Sequence, residues 1–189
     1  MEIYDIIKTR RSIRKFSRKP VPESDLARLV DFARYAPAAA NVQPLKYAVV
    51  SGHSACGKIF PHTRWAKLLG KRGAPAEGEE PTAYIVVMSD VQKRLNCEAD
   101  AAFAIENIVL AAWAMGIGSC ILGSIDRDEI ASIINMPAGY EINYVVALGY
   151  PSQESVAEDA YESVAYYMDD NGIVHVPKRK LEDVMYSVK

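Results

Sequence analysis

The architecture is organised by one segment, from Ala99 to Met115, which reads ADAAFAIENIVLAAWAM. Apolar side chains fall on nearly every side of its helical wheel, and this pattern predicts a helix that is buried all round. A domain of this size rarely buries a helix so fully by itself. We therefore expect a homodimer with this helix at its centre; the alternative is a central helix within one monomeric core. Asp100, Glu106 and Asn107 make the segment too polar to span a bilayer, so no membrane association is expected.

The glycines that follow this helix, Gly116 and Gly118, resemble part of a dinucleotide-binding fingerprint. That fingerprint requires a strand before the glycines and a helix after them, so that a phosphate meets the helix N-terminus. Here the order is reversed, which argues against such a site and favours Gly116 as a left-handed helix cap. The small residues within 119–123 would let a flat ligand approach the backbone closely.

Continuous apolar runs predict the strands on either side of this helix. Residues Ala83 to Met88 and Tyr144 to Tyr150 are typical of buried strands, and Tyr47 to Val50 predicts a third strand. A helix is predicted to begin near Pro22 and to end before Pro37, with proline and acidic residues in its first turn.

The remaining segments indicate the fold class. Helix is predicted over residues 53–69, followed by a mobile linker over 70–81 because Gly, Pro and Glu leave almost nothing apolar there. The Asn171-Gly172 pair predicts a tight turn between two short strands. Hairpin and crossover connections therefore both occur, and this mixture predicts an α+β fold rather than regular βαβ winding.

Composition limits the class of protein. The 189 residues suit one domain, and the net charge of −2 argues against a general polyanion binder, so no nucleic-acid partner is expected. Three widely spaced cysteines form neither a disulfide framework nor a zinc ribbon. A cytoplasmic location is the simplest expectation, and the acidic N-terminal residues do not resemble a signal peptide.

A strip of basic residues near the N-terminus is the clearest candidate binding site. Between Lys8 and Lys19, seven of twelve residues are basic in a chain that is acidic overall. Ile13 and Phe16 interrupt the charge, so we expect the strip to be attached to the core on one side and to bind an anion on the other. Arginine forks and a serine hydroxyl suit a phosphate monoester, and the basic residues 178–180 would close on the same anion. A solvated basic face and a nucleic-acid-binding arm are the alternatives.

Other candidate residues carry weaker signals. The amides within Asn41 to Gln43 are able to read the edge of a heterocycle, although a plain turn explains them as well. Cys120 has no identifiable partner base, which favours a buried thiol over a nucleophile. His62 and His175 lack metal-ligand spacing and are expected at the surface, and no metal is expected. Since no side chain presents itself as the catalyst, the sequence favours a borrowed cofactor.

Three segments taken together resemble the FMN-dependent nitroreductase family: RRSIRKF from Arg10 to Phe16, APAAANVQP from Ala36 to Pro44, and MGIGSCILG from Met115 to Gly123. The closing VHVPKRKL from Val174 to Leu181 also fits, so the resemblance spans residues 4–185. It implies a single FMN-binding domain over 1–189, with a central, mostly antiparallel sheet flanked by helices. The long central helix would lie at a dimer interface, with two FMN sites between the subunits.

The resemblance also implies roles for particular residues. Arg10 and Ser12 would hold the FMN phosphate with Arg11 beside them, and Arg14 would be the cation near the flavin pyrimidine. The loop that the other subunit lends to the flavin site corresponds to Pro37, Ala38, Asn41 and Gln43. The backbone amides near flavin N5 correspond to Leu122 and Gly123, and the C-terminal basic pair at the phosphate corresponds to Lys178 and Lys180.

The chain departs from the family pattern at several positions. The family loop often has Ser where this chain has Ala38, and an aromatic where it has Leu45. The segment 62–81 contains no asparagine to match a flavin contact of some members. Arg64 and Trp65 are candidates for the border of the site, but the sequence does not place them.

The resemblance implies an oxidoreductase in which NADH or NADPH reduces FMN, leaves, and is replaced by a small-molecule electron acceptor such as a nitroaromatic or a quinone. Its alternatives are another flavin reaction, such as reductive dehalogenation or dehydrogenation, and a flavin-binding sensor without turnover. Since the sequence contains no nucleotide-binding motif, it does not choose between NADH and NADPH.

Overall fold

The computed structural model describes residues 2–93 and 96–187, which form helices on both faces of one antiparallel sheet and a smaller C-terminal sheet. The α-helices are α1 Ile3–Thr9, α2 Glu23–Ala33, α3 His53–Ile59, α4 Glu98–Ala114, α5 Arg127–Ile133 and α6 Leu181–Val184. The strands are β1 Leu45–Ser51, β2 Ala83–Asp90, β3 Gly118–Leu122, β4 Tyr140–Gly149, β5 Ser155–Asp159, β6 Tyr167–Met168 and β7 Val174–Lys178. Short 3₁₀ segments occur at Ala39–Asn41, Phe60–His62 and Lys67–Gly73.

The larger sheet has the strand order β1-β2-β4-β3, and every neighbouring pair is antiparallel. In the smaller sheet, β7 lies between β5, to which it is parallel, and β6, to which it is antiparallel. The predicted α+β class with a mostly antiparallel central sheet is therefore confirmed. The chain forms the predicted turn between β6 and β7 at residues 169–172.

Both faces of the larger sheet are covered, which explains the continuous apolar runs of its central strands. Successive side chains of a strand point to opposite faces. Ile85 and Val87 of β2 pack in the cluster that contains α2 and α4, whereas Tyr84 and Val86 pack with residues of α3 and α5. All four side chains are fully buried. A strand that is buried on two faces has no polar alternation, so the apolar runs predicted β2 and β4 correctly.

The long helix α4 is buried on one side only within this chain. Ala101, Ile108 and Ala112 are inaccessible to solvent, but Phe103 on the same helix is 52 % exposed. Exposed apolar residues of α1, of α2 and of the turn after α2 continue this surface: Ile3, Ile7, Phe32 and Tyr35. The expectation of burial all round is therefore not met inside one protomer, and the homodimer stays a prediction. None of the helices in the described ranges is long and apolar enough to cross a membrane.

Two predictions between β1 and β2 were wrong. The helix expected over 53–69 ends at Ile59, because Pro61 lacks a backbone donor and disfavours helix in the residue before it. The segment 70–81, expected to be a mobile linker, is attached to the N-terminal strip. The Phe16 amide donates to the Glu79 carbonyl at 2.9 Å, and Lys15 pairs with the Glu79 carboxylate at 3.1 Å.

Candidate functional site

The basic strip runs beside the edge strand β3 and is fixed to it by backbone contacts. Ser12 forms a bridge with Ser119, and the Ile13 amide donates to the Ser119 carbonyl at 2.8 Å. Ile13 is buried directly over Gly118, where an added Cβ would lie 2.9 Å from the Ile13 Cβ. Phe16 is packed over Gly149 in the same way. The predicted attachment of the strip to the core is thus confirmed, and it depends on two glycines that permit close approach.

Arg14 is the half-buried cation of this strip. Its amide donates to the Gln153 side chain at 3.0 Å, and its guanidinium lies 5.1 Å from the centre of the Tyr166 ring. It also lies beside the Cys120 thiol, where burial raises the pKa of Cys120 and the neighbouring Arg14 opposes that rise. The raised pKa favours the interpretation of Cys120 as a buried, protonated thiol.

Arg10 and Arg11 are adjacent, but they differ in burial and in the groups that their side chains contact. The Arg11 guanidinium is buried and donates to the backbone carbonyls of Lys8 and Arg10, where it caps the last turn of α1. Burial and, next, the charge of Arg10 lower the pKa of Arg11. Arg10 is half-buried and, among the described residues, forms no ion pair with a carboxylate, as is also true of Arg14. The cofactor role of Arg11 stays a prediction, but its donors are already engaged by the backbone.

The end of β3 carries the two residues that were predicted to lie near flavin N5. Leu122 is buried and Gly123 is exposed at the end of the strand. Beyond them the chain pairs with the segment after α3: the Arg64 amide donates to the Ser124 carbonyl at 3.0 Å, and Thr63 forms a bridge with Ile125. The structure therefore places Arg64, which the sequence left unplaced, directly beside the Gly123 end. Trp65 follows it, and its indole N–H donates to the Thr63 hydroxyl at 2.9 Å.

Sequence reasoning missed Arg127, which fastens this end of β3 to β4. Its Nε donates to the Ile142 carbonyl at 2.9 Å, and a terminal nitrogen lies 3.3 Å from the Asn143 carbonyl and 3.4 Å from that of Gly123. The sequence holds no signal for these bonds, because any residue type supplies a backbone carbonyl. Only the helix start was readable, since the Asp126 side chain accepts from the Glu129 amide as an N-cap.

The loop between α2 and β1 forms a second part of the candidate site. Pro37, Ala38 and Gln43 line a cavity of about 180 Å³ whose walls also come from α2, β1 and α4. The Ala39 amide donates to Asp100 of α4 at 3.2 Å. No residue of the strip or of β3 lines this cavity. Within one protomer, the loop and the strip therefore do not line the same cavity.

This loop is conformationally strained. Ala40, Asn41 and Gln43 have φ angles of 50°, 52° and 51°, which lie in the left-handed region that non-glycine residues rarely adopt. Each such residue costs of order 1–3 kcal/mol, and strain of this kind concentrates at functional sites. The side chains of Asn41 and Gln43 are exposed and therefore available to a ligand or a partner.

The C-terminal basic residues lie at the end of the smaller sheet and just beyond it. Lys178 ends β7, and the Lys180 ammonium lies 5.7 Å from the Tyr161 ring centre. Both are exposed, and in the described ranges no hydrogen bond or ion pair joins them to the strip. The segment that leads into this sheet is attached to the strip, because the Ser152 amide donates to the Lys15 carbonyl at 3.0 Å. The predicted contact of Lys178 and Lys180 with the phosphate stays a prediction.

A charge cluster holds the smaller sheet together. His175 lies 2.8 Å from the Glu158 carboxylate and 3.5 Å from that of Asp169, and its ring stacks on Tyr167 at 4.8 Å. Glu158 first, and then Asp169, raise the pKa of His175 against the effect of burial. His175 is therefore an ion-pairing residue. Among the described residues, no group of His, Cys, Asp and Glu has the arrangement of a metal site.

Comparison with known proteins agrees with this architecture. The sequence model of the Nitroreductase family matches residues 7–150, which leaves the smaller sheet outside the match. A candidate NADH dehydrogenase/NAD(P)H nitroreductase of Archaeoglobus fulgidus is 31 % identical over 170 residues, covering 86 % of this chain and 91 % of the relative. An iodotyrosine deiodinase of Thermotoga neapolitana is 21 % identical, covering 87 % of this chain and 97 % of the relative.

A solved structure extends the similarity to the whole chain. A candidate nitroreductase of Desulfovibrio desulfuricans in complex with FMN has a TM-score of 0.71 and 21 % identity, covering 100 % of this chain and 98 % of its own. At this identity the likeness shows the fold, whereas the family match and the Archaeoglobus relative show kinship. The chain therefore belongs to the nitroreductase family.

Proposed function

We propose that the protein is an FMN-dependent oxidoreductase in which NADH or NADPH and a small-molecule acceptor, a nitroaromatic or a quinone, react in turn at the same site. The observation that carries the proposal is the pair Arg10 and Arg14: both are half-buried beside an edge strand, and neither pairs with a carboxylate in the described part of the chain. A half-buried cation that has no carboxylate beside it is unfavourable, so its position favours an anionic ligand.

The donor set fits FMN. Arg10 and Ser12 offer a charged fork and a hydroxyl for a phosphate, and Lys178 and Lys180 would add charge from the smaller sheet. By the family resemblance, Arg14 would lie where reduction of a bound flavin leaves negative charge, and a preorganised positive charge there would lower the cost of forming it. When bound, FMN supplies the hydride chemistry, while the protein supplies binding, orientation and electrostatics.

The proposal includes a homodimer. The exposed apolar residues of α1, α2 and α4 surround a surface cavity of about 440 Å³, and contiguous apolar patches of this kind mark association sites. A partner docked there would cover Phe103, and the strained loop with Asn41 and Gln43 would be lent to the partner's flavin, as the resemblance implies. A cytoplasmic location is part of the same proposal, supported by three free, buried cysteines.

The absorbance spectrum of the purified protein tests the proposal. We expect a yellow protein, or one that becomes yellow with added FMN, and bleaching under anaerobic titration with NADH or NADPH. An acceptor should then restore the oxidised spectrum. Arg14→Gln should weaken FMN binding or slow its reduction, whereas Arg28→Gln, on an exposed ion pair of α2, should not. A colourless protein that takes up no FMN would falsify the proposal, and reduction without turnover would favour the sensor.

A second candidate reaction is reductive dehalogenation, because the Thermotoga relative is named an iodotyrosine deiodinase. Both reactions use the same reduced flavin, so the strip alone does not separate them. A parallel screen of halogenated phenols and nitroaromatics, with released halide and nitro reduction as readouts, distinguishes the two. Halide release faster than nitro reduction would favour the second candidate.

A further inference from the structure

An open cavity of about 390 Å³ lies directly past the end of β3. Its lining residues are Arg64, Ser124, Ile125, Asp126 and Arg127. Ser124 follows Gly123, whose backbone amide the family resemblance implies to lie near flavin N5. A molecule in this cavity would therefore lie beside the position at which electrons are exchanged.

The two arginines of this cavity are oriented by neutral groups. One terminal nitrogen of Arg64 donates to the carbonyls of Pro61 and Thr63 at 2.9 and 3.1 Å. Arg127 donates to three carbonyls of the β3 and β4 ends. Within residues 2–93 and 96–187, neither guanidinium pairs with a carboxylate. Carbonyl dipoles fix the direction of a guanidinium without cancelling its charge, and each side chain retains unused N–H donors.

One carboxylate shares the lining, and it is already engaged. Asp126 accepts a hydrogen bond from the Glu129 amide at 3.3 Å as the N-cap of α5. Glu129 itself and Asp128 are exposed in the first turn of that helix and do not line the cavity. The walls therefore carry two cations against one carboxylate. Ser124 adds a hydroxyl that is able to donate to an oxygen.

We propose that Arg64 and Arg127 form a subsite for an oxyanion, a carboxylate or a phosphate, on the molecule that exchanges electrons with the flavin. This inference rests on the proposed function and adds a substrate class to it. The oxyanion has two sources: an acidic aromatic acceptor, or the phosphates of the pyridine nucleotide. Both present oxygens that match an arginine fork.

Paired ligands that differ only in charge test the subsite. Benzoate and benzamide are titrated into wild type, Arg64→Gln, Arg64→Lys and the control Arg28→Gln, with isothermal calorimetry and the flavin absorbance as readouts. Loss of one charge-assisted hydrogen bond should weaken benzoate about tenfold in Arg64→Gln and benzamide less than twofold. Arg64→Lys should recover most of the loss, and Arg28→Gln should match wild type.

Steady-state kinetics identify the source of the oxyanion. If it is the acceptor, Arg64→Gln raises the KM for 4-nitrobenzoate about tenfold but leaves that for 4-nitrobenzamide unchanged. If it is the nucleotide, the KM for NADH rises and that for 1-benzyl-1,4-dihydronicotinamide, which lacks phosphates, does not. Arg127→Gln should show the same selectivity. If Arg127→Gln does not fold, the result for Arg64→Gln alone identifies the source of the oxyanion.

Equal changes for the charged and neutral members of both pairs would overturn the subsite while leaving the proposed function intact. A protein that binds no FMN would overturn the proposed function, and calorimetry with benzoate would still test Arg64 without any flavin. The two failures are therefore distinguishable.

Discussion

Gly118→Ala is the sharpest test of how the strip is held. Ile13 packs directly over this glycine, and an added Cβ would lie 2.9 Å from the Ile13 Cβ and 3.0 Å from both of its γ-carbons. Ordinary carbon contacts are about 3.5–4.0 Å, so the strip has to retreat by at least about half an ångström. The retreat strains the bond from the Ile13 amide to the Ser119 carbonyl and displaces Ser12 and Arg14 with it.

The expected loss of stability can be estimated from these contacts. Overpacking of a well-packed site costs about 1–3 kcal/mol, and a weakened backbone hydrogen bond adds up to about 1 kcal/mol. Replacing glycine returns about 0.4–1 kcal/mol by restricting the unfolded chain. We expect a net loss of about 1–2 kcal/mol in the free energy of unfolding. For a chain of this length that is a fall in Tm of about 2–8 °C. FMN affinity should fall about tenfold, the equivalent of one weakened charge-assisted bond of about 1.4 kcal/mol.

The assay combines urea denaturation, followed by circular dichroism, with FMN titration. Gly57→Ala is the matched control, because Gly57 lies within α3 and an added Cβ there meets nothing within 4 Å. The same chemical change should stabilise that helix by about 0.5–1 kcal/mol and leave FMN affinity unchanged. If Gly118→Ala unfolds and binds FMN as wild type does, the strip is not held by this contact and the reasoning is refuted.

Three further predictions concern other parts of the molecule. Arg14→Gln should make the reduction potential of bound FMN more negative, because the fixed charge that stabilises the reduced flavin is lost, and an unchanged potential in redox titration would contradict this role. Phe103→Glu should raise the fraction of monomer in sedimentation, since it places a charge on the exposed apolar face of α4, whereas an unaltered sedimentation coefficient would place the partner elsewhere. His175→Phe keeps the ring stacked on Tyr167 but removes the pair with Glu158, and its effect should depend on pH. Because the pKa of His175 is raised, the stabilisation by this pair is fully present below about pH 6.5 and is lost as the pH rises through the raised value. Because the pKa of Glu158 is lowered, the stabilisation is also lost in acid, below about pH 4.5. The free energy of unfolding of wild type should therefore exceed that of the variant most between about pH 4.5 and 6.5, and a difference independent of pH would contradict the assignment.

Features that depend on residues close together in the sequence could be predicted from the sequence. The apolar runs predicted the buried stretches of β2 and β4, because a strand segment that is buried on two faces shows no polar alternation. Gly116 was predicted as a left-handed cap and has a φ of 74°. The mixture of charge with Ile13 and Phe16 predicted a strip attached to the core on one side. Each of these features rests on a local period or a local backbone requirement.

Contacts made by the backbone across long distances were not readable. The bridge between Thr63 and Ile125 joins two irregular segments, so no periodicity marks it. Arg127 binds carbonyl groups, which every residue carries, and therefore no complementary side chain appears in the sequence. The helix expected through 53–69 failed for a different reason, because Pro61 ends α3 at Ile59 and that local signal was overlooked. What the sequence did not show is that the chain beyond Pro61 turns to pair with the end of β3.

The distribution of charge around β3 gives these contacts a common meaning. The chain contains 24 acidic and 22 basic residues, so carboxylates are plentiful as partners. Nevertheless Arg14 beside Cys120, Arg127 at Gly123 and Arg64 beside Ser124 form no ion pair within the described ranges. Cations that backbone carbonyls and rings hold in place outnumber the one carboxylate, Asp126, that lines the cavity past this strand. An excess of positive charge in a cleft attracts anions and raises their local concentration. Since exposed charges are screened beyond about 10 Å at 0.1 M salt, this attraction should weaken with ionic strength for charged substrates and not for neutral ones.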